Sequence, residues 1–459
     1  MTSASLTQRQ VAFSLEPIFP AEILAEIAGH LGDQFPNDKE GRKRKRDEMR
    51  TLATVSRTMC AIARTHIFEE IYIPSGIQLH HLANLFRDNP RLGAVVRSVE
   101  CTFNEDTLDT EDIAEFFKLP KVMSLSAFWF RNWRRPGSGL SMFRIHALLN
   151  LYLSGSNGPP SLKTLHLVSV PGLHYEMFLL SQTLESLSLA HCSHAHHHVP
   201  NTEPNLKLKS LSISCTVIPF AFLQRCPNIE ELNVTNQRII FTEDDTHLTS
   251  QMQTDQPALP SLKRLHIRLW CYSEHTSPSY DSHYPQFPIL MENSPALEDL
   301  SLLILGTQGP SLWYPNHRHL KNLTIDWSTC HPQSTTVLFE PQIEVLSGLN
   351  LPYLETISMS VSVETLIMDF DDEMLLKESI IRNARTFARL IGDRDGDLFP
   401  SLKTSSLVFD LIRSGPRVYE DVEMAYPTED LKRELELIFN NLEVSEQITF
   451  LVEVTVRDK

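Results

Sequence analysis

An apolar pattern, Leu-x-x-Leu-x-Leu, recurs along most of this chain of 459 residues and constrains its fold more than any other feature. The alternate apolar positions of each copy describe a short strand with one buried face, and the leucine three residues upstream covers the layer below. Spacings of about 20 to 35 residues predict stacked units that bury a continuous core between neighbours. Eight copies follow the pattern: Leu162/Leu165/Leu167, Leu184/Leu187/Leu189, Leu208/Leu211/Ile213, Ile229/Leu232/Val234, Leu262/Leu265/Ile267, Leu297/Leu300/Leu302, Leu320/Leu323/Ile325 and Leu354/Ile357/Met359.

The array continues at both ends in a weaker form. Residues 431–438 carry apolar side chains at helical spacing, and residues 448–456 alternate as a strand does, so we predict that they close the far end. The sequence thus predicts an α/β fold in which residues 74–459 form an irregular leucine-rich-repeat solenoid with a C-terminal cap. The weaker copies are Val96/Val99/Cys101, Val122/Leu125/Ala127 and Leu402/Ser405/Leu407, the last without its middle leucine.

The composition limits the kind of partner. The formal net charge is -16, and nucleic acid binding needs a basic surface, so we expect a protein partner rather than nucleic acid. No apolar run approaches the ~20 residues that span a bilayer, so we expect no membrane partner. The N-terminus lacks the basic and apolar segments of a secretory signal, and the seven cysteines include no Cys-x-x-Cys pair. These features favour a cytoplasmic and/or nuclear location.

A segment of different character, residues 17–73, precedes the repeats and is predicted to be helical. Pro20 suits the first turn of a helix that ends near Gly32, and Asp47 is suited to cap a second helix. Apolar residues from Met59 to Phe68 indicate a third helix. We expect residues 1–16 to be disordered and the polar residues 33–46 to form an inserted loop. Three short helices bury too little surface to hide all their apolar side chains, which leaves a face for a partner.

The same segment resembles an F-box. The sequences FPAEILAEIAGHL and LATVSRTMCAIARTHIFEEIYI match the two halves of the family pattern, although Met59 replaces a common tryptophan and the inserted loop separates the halves. Together with the repeats, the chain resembles F-box proteins with leucine-rich-repeat-like tails, a type expanded in fungi.

This resemblance implies a substrate receptor of an SCF-type cullin-RING ubiquitin ligase. The F-box would dock on the adaptor subunit, and through it on cullin, while the repeats would bind an unknown substrate protein. The receptor performs no chemistry itself, so the resemblance implies no catalytic residue and no cofactor. The residues we expect at the adaptor are Phe19, Pro20, Ile23, Leu24, Ile27, Leu52 and Val55.

An alternative interpretation makes the helical head a cap that covers the first layer of the solenoid. The chain would then be a leucine-rich-repeat scaffold or protein-binding module unrelated to ubiquitin. An enzyme is the third class, but the sequence contains no nucleophile elbow, no phosphate-binding glycine-rich loop and no His-Glu-x-x-His motif.

The basic run GRKRKR lies inside the predicted inserted loop. It is typical of a nuclear import signal, and the other interpretation is a solvated loop. The import hypothesis concerns Arg42, Lys43, Arg44, Lys45 and Arg46.

Two local patterns suggest metal ions, and we predict a metal site from neither. The cluster of histidines and one cysteine between His191 and His198 is a polar loop whose neighbouring side chains point apart, whereas a structural site needs four converging ligands. The run DRDGD at residues 393–397 lacks the sixth-position glycine and twelfth-position glutamate of a calcium loop.

Overall fold

A computed structural model describes residues 20–34, 39–103, 119–129, 149–150, 152–154, 162–193, 206–235, 239–240, 257–271, 290–306, 317–329, 346, 351–365, 370–392, 399–413, 428–440 and 448–458. The chain divides into two units, Met1–Leu125 and Ser126–Lys459. Residues 1–16, predicted to be disordered, lie outside the described residues. No helix in the described ranges has the length and apolarity that crossing a membrane requires.

The first unit is mainly helical. The helix predicted from Pro20 is α1, and the apolar residues after Met59 lie on α3, which Ser56 caps by accepting a 3.1 Å hydrogen bond from the Met59 amide. Strands β1 and β2 pair in parallel. The elements are α1 (Ala21–Asp33), α2 (Lys39–Leu52), α3 (Arg57–Glu69), β1 (Glu70–Ile73), α4 (Gly76–Asp88), α5 (Pro90–Gly93) and β2 (Ser98–Phe103).

The inserted loop predicted for residues 33–46 is wrong from residue 39 onward, because α2 begins at Lys39 rather than after a cap at Asp47. Lysine and arginine are good helix formers, so a charged run of this kind is compatible with a helix. Ion pairs along the helix also support it. The Arg44 Nη2 nitrogen lies 3.2 Å from the Glu40 Oε1 oxygen, and the Arg50 Nη1 nitrogen lies 3.3 Å from the Asp47 Oδ1 oxygen. A polar run therefore marks a solvated helix face here rather than a break between helices.

The second unit contains successive parallel strands. Strand β3 (Ser124–Trp129) lies across the division between the units, and the remaining strands belong to the second unit. These are β4 (Thr164–Val168), β5 (Ser186–Ala190), β6 (Ser210–Ser214), β7 (Ile218–Pro219), β8 (Glu231–Thr235), β9 (Ile239–Ile240), β10 (Arg264–Cys271), β11 (Asp299–Gly306), β12 (Asn322–Thr329), β13 (Thr356–Thr365), β14 (Thr404–Arg413) and β15 (Thr449–Asp458).

The structure gives the bounds of four helices in this unit. Helix α9 and strand β15 confirm the helix and strand predicted near the C-terminus. The described helices are α6 (Tyr175–Leu179), α7 (Phe220–Gln224), α8 (Phe370–Gly392) and α9 (Thr428–Asn440).

Within each unit the strands pair in parallel and in register: β1 pairs with β2, and β4 to β15 pair in chain order except for β7 and β9, which form a separate pair. The middle apolar residue of each repeat lies opposite that of the next, as Leu232, Leu265 and Leu300 do on β8, β10 and β11. These residues and the other members of the eight predicted triplets are buried. The prediction of one buried strand face per triplet is therefore confirmed.

The weaker copy Leu402/Ser405/Leu407 has a polar residue in its middle position. Ser405 occupies the position of the middle leucine on β14 and is only 1% exposed. Its hydroxyl oxygen has no hydrogen-bond partner among the described residues, whereas the neighbouring Ser406 hydroxyl donates to Ser358 at 2.7 Å. A buried hydroxyl without a partner destabilises the fold, so β14 is a weak position in the core.

Candidate interaction surfaces

The head surface is the set of predicted adaptor-binding residues that the structure describes: Pro20, Ile23, Leu24, Ile27, Leu52 and Val55. Ile23 is 41% exposed, Ile27 is 45% exposed and Val55 is 69% exposed. Pro20 is also exposed, while Leu24 and Leu52 are half-buried; Phe19 lies outside the described residues. Helical spacing brings residues 20, 23, 24 and 27 to one side of α1.

The interior of the first unit explains why this surface stays uncovered. The buried side chains of the three helices are Ala28, Met49, Met59 and Ala63, so α1 turns its small Ala28 inward. The large apolar residues Ile23 and Ile27 of α1 are exposed to solvent instead. This exposure is unfavourable for the isolated chain, because burying apolar surface stabilises a fold. The packing of the first unit therefore leaves much of the head surface uncovered.

Helix α2 carries the basic run on a structured element. Arg42 pairs with Glu100 on β2, and its guanidinium carbon lies 5.6 Å from the centre of the Tyr72 ring. Lys45 lies 3.4 Å from Glu70 on β1. Lys43, Arg44 and Arg46 are exposed. The import hypothesis stays a prediction, and it now concerns residues that form a helix instead of an inserted loop.

The second candidate surface is the outward face of the parallel strands. Because side chains alternate across a strand, the residue between the two buried apolar positions of each repeat points away from the core. The register aligns these residues into a row of mostly short polar side chains, all half-buried: His166, Ser188, Ser212, Asn233, His266, Ser301, Thr324, Ser358 and Ser406. Next to this row, partial burial raises the pKa of Asp326.

A line of alternating charges borders this face, and we call it the charge ladder. Each member directly precedes a strand, and its carbonyl oxygen accepts backbone hydrogen bonds from the start of the next repeat. The side chains form ion pairs across repeats. The distance from the lysine Nζ nitrogen to the glutamate Oε2 oxygen is 3.1 Å for Lys209 and Glu185, 2.7 Å for Lys321 and Glu298, and 2.7 Å for Lys403 and Glu355. The members are Lys163, Glu185, Lys209, Glu230, Lys263, Glu298, Lys321, Glu355 and Lys403.

The charge ladder is absent from the sequence predictions, although its signal is present in the sequence. Each member is the residue directly after the first apolar residue of a triplet, so aligning the triplets shows lysine and glutamate in strict alternation. Opposite charges on neighbouring parallel strands attract, and the alternation avoids like charges side by side. The ladder therefore favours pairing between consecutive repeats. A shift by one repeat would place two lysines or two glutamates side by side.

The pH dependence of folding tests the charge ladder. A hydrogen bond from Lys209 and the charges of Lys209 and Lys163 lower the pKa of Glu185 below its ordinary value of 4.5; Lys321 does the same to the pKa of Glu298. A carboxyl whose pKa is lower in the folded chain stabilises it above the unfolded pKa and loses this contribution as the pH falls through the folded value. We expect Glu185→Gln with Glu298→Gln to lower the urea midpoint slightly at pH 7.

The same difference between wild type and variant should shrink as the pH falls below 4.5 and through the lowered pKa values of Glu185 and Glu298, because the wild type then loses these charges. Glu292→Gln is the matched control, because this exposed glutamate forms no ion pair with another described residue. A variant whose urea midpoint equals that of the wild type at pH 7 would show that the ladder pairs contribute nothing to stability.

Of the candidate metal ligands between His191 and His198, the structure describes His191 and Cys192. His191 has a positive φ of 54° directly after β5, and the buried Cys192 thiol donates to the carbonyl oxygens of Leu167 and Ala190. Burial raises the pKa of the Cys192 thiol to about 11, so it is a protonated donor and a poor metal ligand. His194, His196, His197, His198 and the run 393–397 lie outside the described residues. In the part of the chain that is described, no group of three or more His, Cys, Asp or Glu side chains is placed to hold a metal ion.

Neither surface is explained by a known relative. Searches of protein-family models and of the curated proteins find no match to this chain.

Proposed function

We propose that the chain is a substrate receptor of an SCF-type cullin-RING ubiquitin ligase. Its F-box-like head binds the adaptor subunit, which connects it to cullin, and its leucine-rich-repeat solenoid binds the protein to be ubiquitylated. The receptor brings a substrate lysine close to the ubiquitin-conjugating enzyme and thereby raises its effective concentration. This role needs two separate binding surfaces and no catalytic residue.

The observation that carries the proposal is the exposure of the head surface. Ile23, Ile27 and Val55 remain 41%, 45% and 69% exposed, although the chain folds a small core directly beside them. Large apolar side chains that are exposed and belong to one sequence motif are typical of a site that a partner covers. The likeness of these residues to the F-box pattern supports the adaptor as that partner.

The regular pairing of the second unit supports the solenoid part of the proposal. From β4 to β6, and then through β8 and β10 to β14, each strand pairs in parallel with the next one, and the triplets stay aligned. The backbone bonds recur as well: the carbonyl oxygen of Lys163 accepts from Glu185 and Ser186, and the same pair of bonds returns at Glu185 and Lys209. Repeated bonds of this kind are typical of stacked repeats.

Co-purification with the adaptor tests this function. We expect the tagged full-length chain, co-expressed with a recombinant SCF adaptor, to elute from size exclusion as a one-to-one complex that also retains the N-terminal domain of cullin. A full-length chain that is folded by circular dichroism but elutes without adaptor would contradict the proposal. The chain would then be a repeat scaffold whose head caps the solenoid.

A further inference from the structure

A groove on the second unit lies between helices α8 and α9. Its cavity volume is about 470 Å³. Basic side chains dominate the wall that α8 contributes, although the chain as a whole carries a net charge of -16. The lining residues are Glu378, Ile381, Arg382, Arg385, Thr386, Arg389 and Glu434.

The amphipathic pattern of α8 places three arginines on one exposed face. Ile380, Ala384 and Phe387 are buried on the opposite side. Arg382, Arg385 and Arg389 follow each other at spacings of three and four residues, so they lie on the same side of the helix and are exposed. At 1.5 Å per residue, the three arginines extend along about 10 Å of the helix axis.

The charges of these arginines are not neutralised by the described part of the chain. Neither an ion pair nor a hydrogen bond joins the guanidinium group of any of the three to another described residue; the Thr386 hydroxyl donates only to the backbone carbonyl oxygen of Arg382, at 3.0 Å. The groove also contains two acidic residues. The Glu434 Oε1 oxygen forms an ion pair with the Lys377 Nζ nitrogen at 2.9 Å, and Glu378 forms no ion pair with a described residue. Lysines of the charge ladder, by contrast, each have an acidic neighbour. Three like charges on adjacent turns repel each other, so an anionic ligand would relieve an unfavourable arrangement.

We propose that this groove, the arginine groove, binds a short acidic segment of another protein. An extended peptide advances about 3.3 Å per residue, so acidic side chains at alternate positions lie about 7 Å apart and three of them cover the arginine stripe. The guanidinium fork binds carboxylate and phosphate oxygens with paired hydrogen bonds, so glutamate, aspartate and phosphoserine share the required chemistry. The inference goes beyond the proposed function and does not depend on adaptor binding.

A nucleic acid fits the groove less well. Glu378 and Glu434 line the groove, and the acidic chain around it repels a long polyanion. A short acidic peptide needs only the three arginines and avoids most of this repulsion. Charge complementarity therefore favours a protein segment over RNA.

Fluorescence anisotropy with the full-length chain tests the arginine groove. The probes are a labelled 12-residue peptide with four alternating glutamates, the same peptide with phosphoserines at these positions, a glutamine version, and a single-stranded RNA of 12 nucleotides. We expect both acidic peptides to bind and the glutamine version not to bind. Stronger binding of the phosphoserine peptide than of the glutamate peptide would identify phosphorylation as the source of the charge.

Matched variants separate the groove from the net charge. Arg382→Gln with Arg385→Gln should weaken acidic-peptide binding at least tenfold, while Lys207→Gln with Arg318→Gln, which removes two exposed charges elsewhere on the second unit, should change it less than twofold. Equal binding by wild type and the groove variant would overturn the proposal, and so would tighter binding of RNA than of either acidic peptide. Adaptor co-purification should be unchanged in the groove variant, so failure of this inference is distinct from failure of the proposed function.

Discussion

Replacing Ile27 and Val55 by aspartate is expected to weaken adaptor binding at least 100-fold while the chain remains folded. The two side chains are 45% and 69% exposed, so much of their apolar surface is open to solvent. In a complex they would be buried, and fully burying a branched apolar side chain contributes about 1.5–3 kcal/mol. A 100-fold loss corresponds to about 2.8 kcal/mol, which the lost apolar contacts and the cost of burying two carboxylates together exceed.

The control for this experiment is another exposed isoleucine of the same unit. Ile77 on α4 is 73% exposed and lies outside the head surface, so Ile77→Asp should leave adaptor binding unchanged. Calorimetric titration of purified adaptor measures the affinities, and far-ultraviolet circular dichroism verifies the fold. Equal loss in Ile77→Asp and in the double variant would show that added negative charge, and not the head surface, determines binding.

Truncating a middle leucine of the repeats should produce the largest loss of stability. Leu265 on β10 is fully buried and lies opposite Leu232 and Leu300 on the adjacent strands. Leu265→Ala removes apolar contacts and leaves a cavity that strands held on both sides cannot close, which costs about 2–5 kcal/mol. Urea unfolding followed by circular dichroism measures this loss.

The next residue of the same strand is the matched control. His266 points to the opposite, half-buried face, so His266→Ala should change the free energy of unfolding by about 0.5 kcal/mol or less. The contrast between adjacent positions follows from the alternation of side chains across a strand. Similar losses in both variants would mean that the buried face of β10 has been assigned incorrectly.

The repeats were predictable because their signal is local. Each triplet contains both its strand and its buried face, so the eight copies locate strands without knowledge of the neighbours. Strand length was not predictable in this way, since β4 covers five residues and β13 covers ten. The longer strands bury further alternate residues beyond the triplet, such as Trp327 and Val361, and these pair because both neighbouring strands extend past the triplet.

Helix α2 was not predictable from its own residues because its anchors are distant. Arg42 pairs with a residue 58 positions away, and Lys45 with one 25 positions away. Similarly, α8 begins with the acidic run FDDE at residues 370–373. The arginine groove needs α8 and α9 side by side, a contact that no local pattern encodes. Polar segments thus gave the least reliable predictions, because their structure depends on partners elsewhere in the chain.

The charge ladder sets a parity rule for changes in repeat number. Deleting one repeat would place two lysines or two glutamates on adjoining strands, whereas deleting two consecutive repeats would restore the alternation. Gene duplication and protein engineering should therefore lengthen or shorten this array more easily by even numbers of units than by odd ones. A single leucine motif defines the structural unit, but two consecutive motifs form the electrostatic one.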